Sequence, residues 1–367
     1  MKKKIILLLS LVLLNSCATN FEEEKETLLK QENKDLVSSF ELSNEEAKKY
    51  KEVDPATIPS PTPTVKTETT SKNKNGKNKK STKLEKAVPQ PTATPTISSS
   101  EANKSNEIKY PADYPELFKQ YDKNSKGVWE KFKPIFYKGE QSIMAISYLG
   151  VTAGYITIIS KGIVKVGDRL AYDYYARFKS RDAYRYFYWL DDYLESFVDK
   201  ETFLPIKYTL VQREKKQNVD DLQLFESKKL KNYTYYKRVK EGSNRDEKKD
   251  VYIPYYLQDS FSALQFVRGL PLKKGDQLEF PVATRAETWI LKIQVVDEEV
   301  INVADKDVRA IKIKAETHFP GVLQKSGDII FWYSADEMRR LLKFQAKVKL
   351  GSIYGDLVEY KPGVPVN

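Results

Sequence analysis

The chain predicts a mainly β fold: a curled antiparallel sheet, as a barrel, half-barrel or β-spiral, with a short inserted helix and a disordered linker ahead of it. Three observations carry this. From Tyr110 onward apolar residues recur with a period of two over successive short segments. One segment near residue 260 breaks that period. Val53 to Lys109 is rich in Pro, Thr and Lys and has little apolar surface to bury.

In order along the chain, Lys2, Lys3 and Lys4 precede an apolar run from Ile5 to Leu14. That is the charge and length of a secretory signal, and it is too short to span a bilayer. Leu14-Asn15-Ser16-Cys17 resembles a bacterial lipobox, in which a signal peptidase cuts before the cysteine and the new N-terminus is acylated, with palmitate among its chains. Residues 1–16 are therefore expected to be removed and Cys17 to hold the chain on a membrane. Several acyl chains on one cysteine meet the two-signal requirement for stable anchoring. Cys17 is the only cysteine, so no disulfide is expected. Ala18, in place of an aspartate that would retain the protein at the inner membrane, points to the outer membrane facing the periplasm.

Residues 17–52 read as an acidic, helix-favouring spacer, with Phe21, Leu28, Leu36 and Phe40 too irregular for a coiled coil. In 53–109, Pro55, Pro59, Pro61, Pro63, Pro89, Pro91 and Pro95 flank the Lys/Asn-rich tract Lys72–Lys80. Such a stretch cannot offset its ordering entropy and reads as a linker that lifts a domain from the membrane. The chain carries a formal +11, of which +7 falls on residues 110–367. For an exported protein this favours anionic partners, namely anionic lipid, lipopolysaccharide or cell-wall polymer, over nucleic acid. A solubilising surface charge is the alternative.

Residues 110–367 are enough for one domain with a substantial core. After a helical lead-in over 116–138, Leu170, Tyr172, Tyr174, Ala176 and Phe178 alternate with polar or small residues, as do Phe344 to Leu350. Both read as half-buried strands. Trp289–Val296 and Val308–Thr317 form a hairpin through Asp305-Lys306-Asp307. Further strands are read at 142–149, 155–160, 185–190, 206–213, 233–239, 277–282, 329–333 and 352–360. So many consecutive strands do not stay flat. Asp259 is placed to cap a helix over 260–268, Gly269 to end it in a left-handed conformation, and Pro271 to prevent continuation. Phe261, Leu264 and Val267 then cover a mouth of the sheet, or the helix packs outside it.

Tyr148-Leu149-Gly150-Val151-Thr152-Ala153-Gly154, Phe197-Val198-Asp199 with Leu204-Pro205, Asp259 with Ala263, Leu264 and Arg268, Gly275-Asp276, and Trp332-Tyr333-Ser334-Ala335-Asp336 occur in that order. Over about 140–360 they resemble exported bacterial proteins of domain-of-unknown-function family 3108. The resemblance implies an antiparallel β protein of the cell envelope, akin to curled-sheet carriers that shield lipid tails. It implies no activity.

Ligand-binding candidates are Arg268, for a carboxylate or phosphate, and the inward rings Tyr172, Tyr174 and Phe178. Tyr184, Tyr186 and Tyr188 share one strand face with Phe187 and Trp189 on the other, for packing or for sugar or lipid contact. The only histidine, His318, has no Cys/His/Asp cluster beside it, so neither a metal site nor a nucleophilic triad is expected, and no cofactor is. Asp191, Asp192 and Glu195 are the best carboxylate group for glycosidic chemistry, but read more simply as a polar turn. The expectation is a membrane-anchored, non-catalytic envelope module that binds a lipid-like or amphipathic ligand. The rival readings are a peptidoglycan- or polysaccharide-binding structural module and, behind it, a polysaccharide-acting enzyme.

Overall fold

The computed structural model describes residues 36, 40, 42–53, 108–184, 189–316, 328–348 and 350–366. Cys17 and the signal run, most of the 53–109 tract, Tyr186, Phe187, Tyr188 and His318 lie outside the described residues.

The sheet is built from two meanders. The first runs through β3 (Glu140–Tyr148), β4 (Val151–Val166), β5 (Arg169–Ser180), β6 (Asp191–Asp199), β7 (Pro205–Arg213), β8 (Gln217–Glu226), β9 (Lys231–Lys240) and β10 (Arg245–Tyr252). The second runs through β12 (Gln277–Thr284), β13 (Glu287–Val303), β14 (Lys306–Glu316), β15 (Asp328–Ser334), β16 (Leu341–Lys347) and β17 (Ser352–Lys361). Antiparallel pairing of β17 with β3 joins them. The short β11 (Gln258–Asp259) adds to β12 in parallel, the one exception to antiparallel pairing in this sheet.

The two ends of the sheet do not share a backbone ladder, so it is curled but not closed. Side-chain hydrogen bonds instead tie the β11–β13 end to β6, the β6–β7 turn and β9 of the first meander. Ser196 Oγ donates to Asp259 Oδ2 at 2.5 Å, Gln258 Nε2 to Phe203 O at 2.7 Å, and Asn232 Nδ2 to Arg285 O at 3.0 Å. Of the expected forms, this is the half-barrel.

Besides two-residue strands, three longer strands were not expected. β10 is mostly charged and exposed, a composition that blunts a sheet edge against pairing with another chain. β6 and β8 are buried on both faces along most of their length, so they lack the alternation that marks a half-buried strand. Asp191 and Asp192 accordingly begin β6 and are not a turn. The β13–β14 hairpin turns at Ala304 and Asp305, with φ of 48° and 61°, one residue earlier than the sequence suggests. Tyr184 lies in a 3-10 turn, Asp182–Tyr184. The lead-in helix α2 (Glu116–Trp129) stops short of 138 because Pro134 cannot continue it.

Leu36, Phe40 and residues 42–53, ahead of the tract, pack on the β unit instead of forming a free spacer. Ser43 and Glu46 form a reciprocal capping box that starts α1 (Asn44–Lys49), and β1 (Glu52–Val53) pairs with Val166 and Lys165 of β4. Leu36, Phe40 and Tyr50 are buried against Ala171, Tyr175, Tyr193, Phe197 and Leu222 on the outer face of the sheet. This strap explains why β5 is covered on both faces: Ala171, Asp173, Tyr175 and Arg177, which alternation alone would expose, are all buried. Tyr137–Lys138 (β2) and Val364–Pro365 (β18) form a separate ribbon.

Candidate functional site

The helix α3 (Ser262–Arg268) spans the opening between the two meanders, and each of its ends is fixed. The helix begins two residues later than expected, with Phe261 and not Asp259 at the N-cap, but Asp259 Oδ1 still accepts from the backbone N–H groups of Phe261 and Ser262, both at 2.8 Å, and so secures the helix start. Its other oxygen takes the Ser196 hydroxyl of β6. Burial pushes the Asp259 carboxyl up, and these hydrogen bonds offset part of that. Midway, the Tyr333 hydroxyl donates to Leu264 O at 3.1 Å.

At the far end the expected left-handed glycine is absent. Gly269 has φ −86°. Glycine is required there for a different reason: a Cβ would collide with Lys133 O and the Phe132 ring. Arg268 is likewise not an open rim contact. It is buried, its Nη1 and Nη2 donate to the two carboxylate oxygens of Glu140 at 2.6 and 2.7 Å, and its Nε donates to Met338 O at 2.7 Å. The sheet's curl brings Glu140 of β3 to it, so the guanidinium closes the structure instead of waiting for a ligand.

Beneath α3 lies a cavity of about 310 Å³. Ile156 and Ile158 of β4, Ala176 of β5 and Leu194 of β6 form one wall. Leu291, Ile293, Ile313, Ala315, Ile329 and Phe331 of β13 to β15 form the other, completed by Leu341, Phe344 and Ala346 of β16. Phe261, Ala263, Leu264 and Val267 roof it, so of the two placements the sequence left open the helix takes the inward one. No charged side chain lines it; Ser260 and the already engaged Tyr333 contribute the side-chain hydroxyls. The space exists because alanines stand at positions 176, 263, 315 and 346, where larger side chains would fill it.

The predicted rings do not line this space. Tyr172 and Tyr174 pack on Phe136 with ring centroids 4.6 and 5.4 Å apart, and on Phe203. Tyr174 is fully buried with its hydroxyl unpartnered. Phe178, two turns of the pleat further on, packs with the Met144–Ile146–Trp332 cluster. Between them Ala176 opens the cavity, so the alternation identified the right strand face and the wrong residues on it. The cavity's aliphatic lining was legible only as scattered Ile, Leu and Ala, types that also fill any solid core.

The three candidate carboxylates do not converge. Asp191 pairs with Arg177 at 2.7 Å, Asp192 accepts from Arg213 N at 2.8 Å, and Glu195 pairs with Lys161. Asp192 is pushed up to about 6 by burial, and Asp173, sharing Lys161 with Glu195, is also raised, chiefly by burial. Among the described residues no group of three His, Cys, Asp or Glu side chains is disposed to hold a metal ion.

The family described as "Protein of unknown function (DUF3108)" matches residues 144–358, more than half of the chain. The chain belongs to this family. The DUF3108 region contains every strand that walls the cavity and the helix that roofs it, but neither Glu140 nor the strap. No curated protein matches the chain. Among solved structures, a β-barrel-like protein of domain-of-unknown-function family DUF1849 from Brucella abortus is 11% identical, with 62% of this chain and 99% of that one covered and a TM-score of 0.42. A protein of Bacteroides fragilis designated as exported, with a YmcC-like fold, is 12% identical, with 63% and 99% covered and a TM-score of 0.28.

Proposed function

We propose that this DUF3108 protein is a non-catalytic module of the bacterial cell envelope, held on the outer membrane through acylated Cys17, that accommodates an apolar chain in the cavity under α3. The cavity is the observation that carries this reading. It lies at the lower end of the roughly 300–1,000 Å³ typical of ligand sites. An apolar hollow of this size left without use forgoes packing that would otherwise stabilise the fold. The fold nonetheless keeps four alanines around it and ties its roof down at both ends. The basic domain and the lipobox-like N-terminus suit a ligand found at an anionic membrane surface.

The test uses N-phenyl-1-naphthylamine, whose fluorescence rises in apolar sites, with the mature chain from Ala18. Wild type is expected to take up the probe, and Ala315→Phe, which fills the cavity, is expected to lose at least tenfold in affinity while unfolding no more easily. In cells Cys17→Ala is expected to abolish acyl labelling. Equal probe binding by Ala315→Phe, or none by wild type, would overturn the cavity reading and leave a wall-binding or scaffolding role. Acyl label retained on Cys17→Ala would overturn the anchor.

A further inference from the structure

A second, polar hollow adjoins the apolar one. It measures about 30 Å³ and shares Ile158, Leu264, Tyr333 and Leu341 with the larger cavity as common lining. Its other lining residues are polar: Glu140, Ser142, Ser160, Gln265, Arg268 and Arg340.

Most of this polarity is already satisfied. Glu140 takes both Arg268 donors and the Tyr360 hydroxyl at 2.7 Å. Arg340 Nη2 is 2.8 Å from Asp336 Oδ2. Each arginine thus has its own carboxylate partner, Glu140 within the niche lining and Asp336 outside it. Two groups are left over. Gln265 is only 8% exposed and its Oε1 has no partner, and Arg340 Nε is buried without an acceptor. Buried polar groups left unsatisfied cost free energy, and here an unused amide oxygen and an unused N–H belong to two side chains that border one small space beside an apolar cavity.

We propose that the two hollows are one amphipathic site, and that the polar niche takes the carbonyl end of a single acyl chain whose hydrocarbon lies under α3. This rests on the cavity reading above. The niche has room for a carboxyl or carboxyl ester but not for a sugar or phosphoglycerol. Arg340 Nε donates to the carbonyl oxygen. The Gln265 amide, which has both a donor and an acceptor, pairs with an acid O–H or adds a second donor to an ester. Both arginines of the niche already have a carboxylate partner, which favours an uncharged head over a dianionic phosphate. The acyl end can come from a free fatty acid or from a lipid whose headgroup remains outside.

The test measures displacement of N-phenyl-1-naphthylamine from the mature chain by dodecanoic acid, methyl dodecanoate and 1-dodecanoyl lysophosphatidylglycerol. Gln265→Met keeps the volume and removes the amide; it is expected to bind the naphthylamine probe as wild type does, and the acyl ligands about five- to tenfold more weakly, the worth of one or two neutral hydrogen bonds. Gln265→Glu is expected at pH 8 to weaken dodecanoate far more than methyl dodecanoate, because the new carboxylate repels the anion whereas the ester loses only the amide donor. Displacement by all three ligands identifies a lipid-borne acyl group, and displacement by the acid and methyl ester alone a free one; both support the proposal. Unchanged acyl affinities in both variants, with probe binding intact, would overturn the head assignment and leave the cavity standing. Absence of probe binding would overturn both.

Discussion

Arg268 and Glu140, 128 residues apart, close a two-point ion pair of 2.6 and 2.7 Å that locks the end of the roof helix to the strand where the two meanders join. Both partners are buried, and the Tyr360 hydroxyl and the Met338 carbonyl complete their hydrogen bonds. The pair fastens the cover of the cavity to its wall.

Breaking it from one side is expected to be costly. Arg268→Met leaves the Glu140 carboxylate buried against Tyr360 alone, and Glu140→Leu strands the guanidinium. Each should lose about 3–5 kcal/mol in urea unfolding, because an uncompensated charge is left in the interior. The double variant is expected to be more stable than either single one. Single losses below about 1 kcal/mol, or strict additivity, would show that the pair does not hold the helix.

The strap makes a second prediction, and it changes the role of the 53–109 tract. Residues on both sides of that tract belong to one compact unit, so it is an excursion from the domain, and residues 18–35 would set the distance from an acylated Cys17. Fully extended they reach about 60 Å. Tyr50 and Leu36 are 2% and 1% exposed, and Glu52 and Lys49 pair with Lys207 and Glu226. Each buried apolar side chain stabilises docking by about 1.5–3 kcal/mol. With a protease site placed at Gly76, the cut halves are expected to co-elute in gel filtration, and Tyr50→Ala to loosen them. Separation of the wild-type halves at micromolar concentration would refute strap docking.

A third prediction concerns pH. Burial lifts Asp221 from an ordinary 3.8 to about 6, with Arg285, 3.4 Å away, and Gln223 offsetting part of the rise. A carboxyl raised by folding stabilises the fold fully below about pH 3.8, and that contribution is lost as the pH rises through about 6. Asp221→Asn mimics the neutral form. Relative to wild type it is expected to gain up to about 3 kcal/mol at pH 7 and almost nothing at pH 3.5. A variant equally destabilised at both pH values would show that the charged carboxylate is the stabilising form.

Much of the fold is visible in the chain because alternation and capping are local. The Leu170–Phe178 alternation, the hairpin near Asp305 and the short helix after Asp259 all appear at or near their expected positions. β10 escapes because its edge position is defended by charge, and β8 because it is covered on both faces. The cavity escapes for another reason: an alanine reads the same whether its neighbour fills the space beside it or not.

The sequence by itself determined a mainly β domain with one short inserted helix and its resemblance to the DUF3108 family, all of which depend on residues near one another in the chain. Only the tertiary structure decided what each face meets. It assigned Arg268 to Glu140, turned the outward side of β5 into a buried surface under Leu36 and Tyr50, and left the space between Ala176 and Ala315 unfilled. The physical reason is that a period of two records that the two faces of a strand differ, whereas partners, covers and voids are set by how a sheet of sixteen strands curls and brings distant residues together.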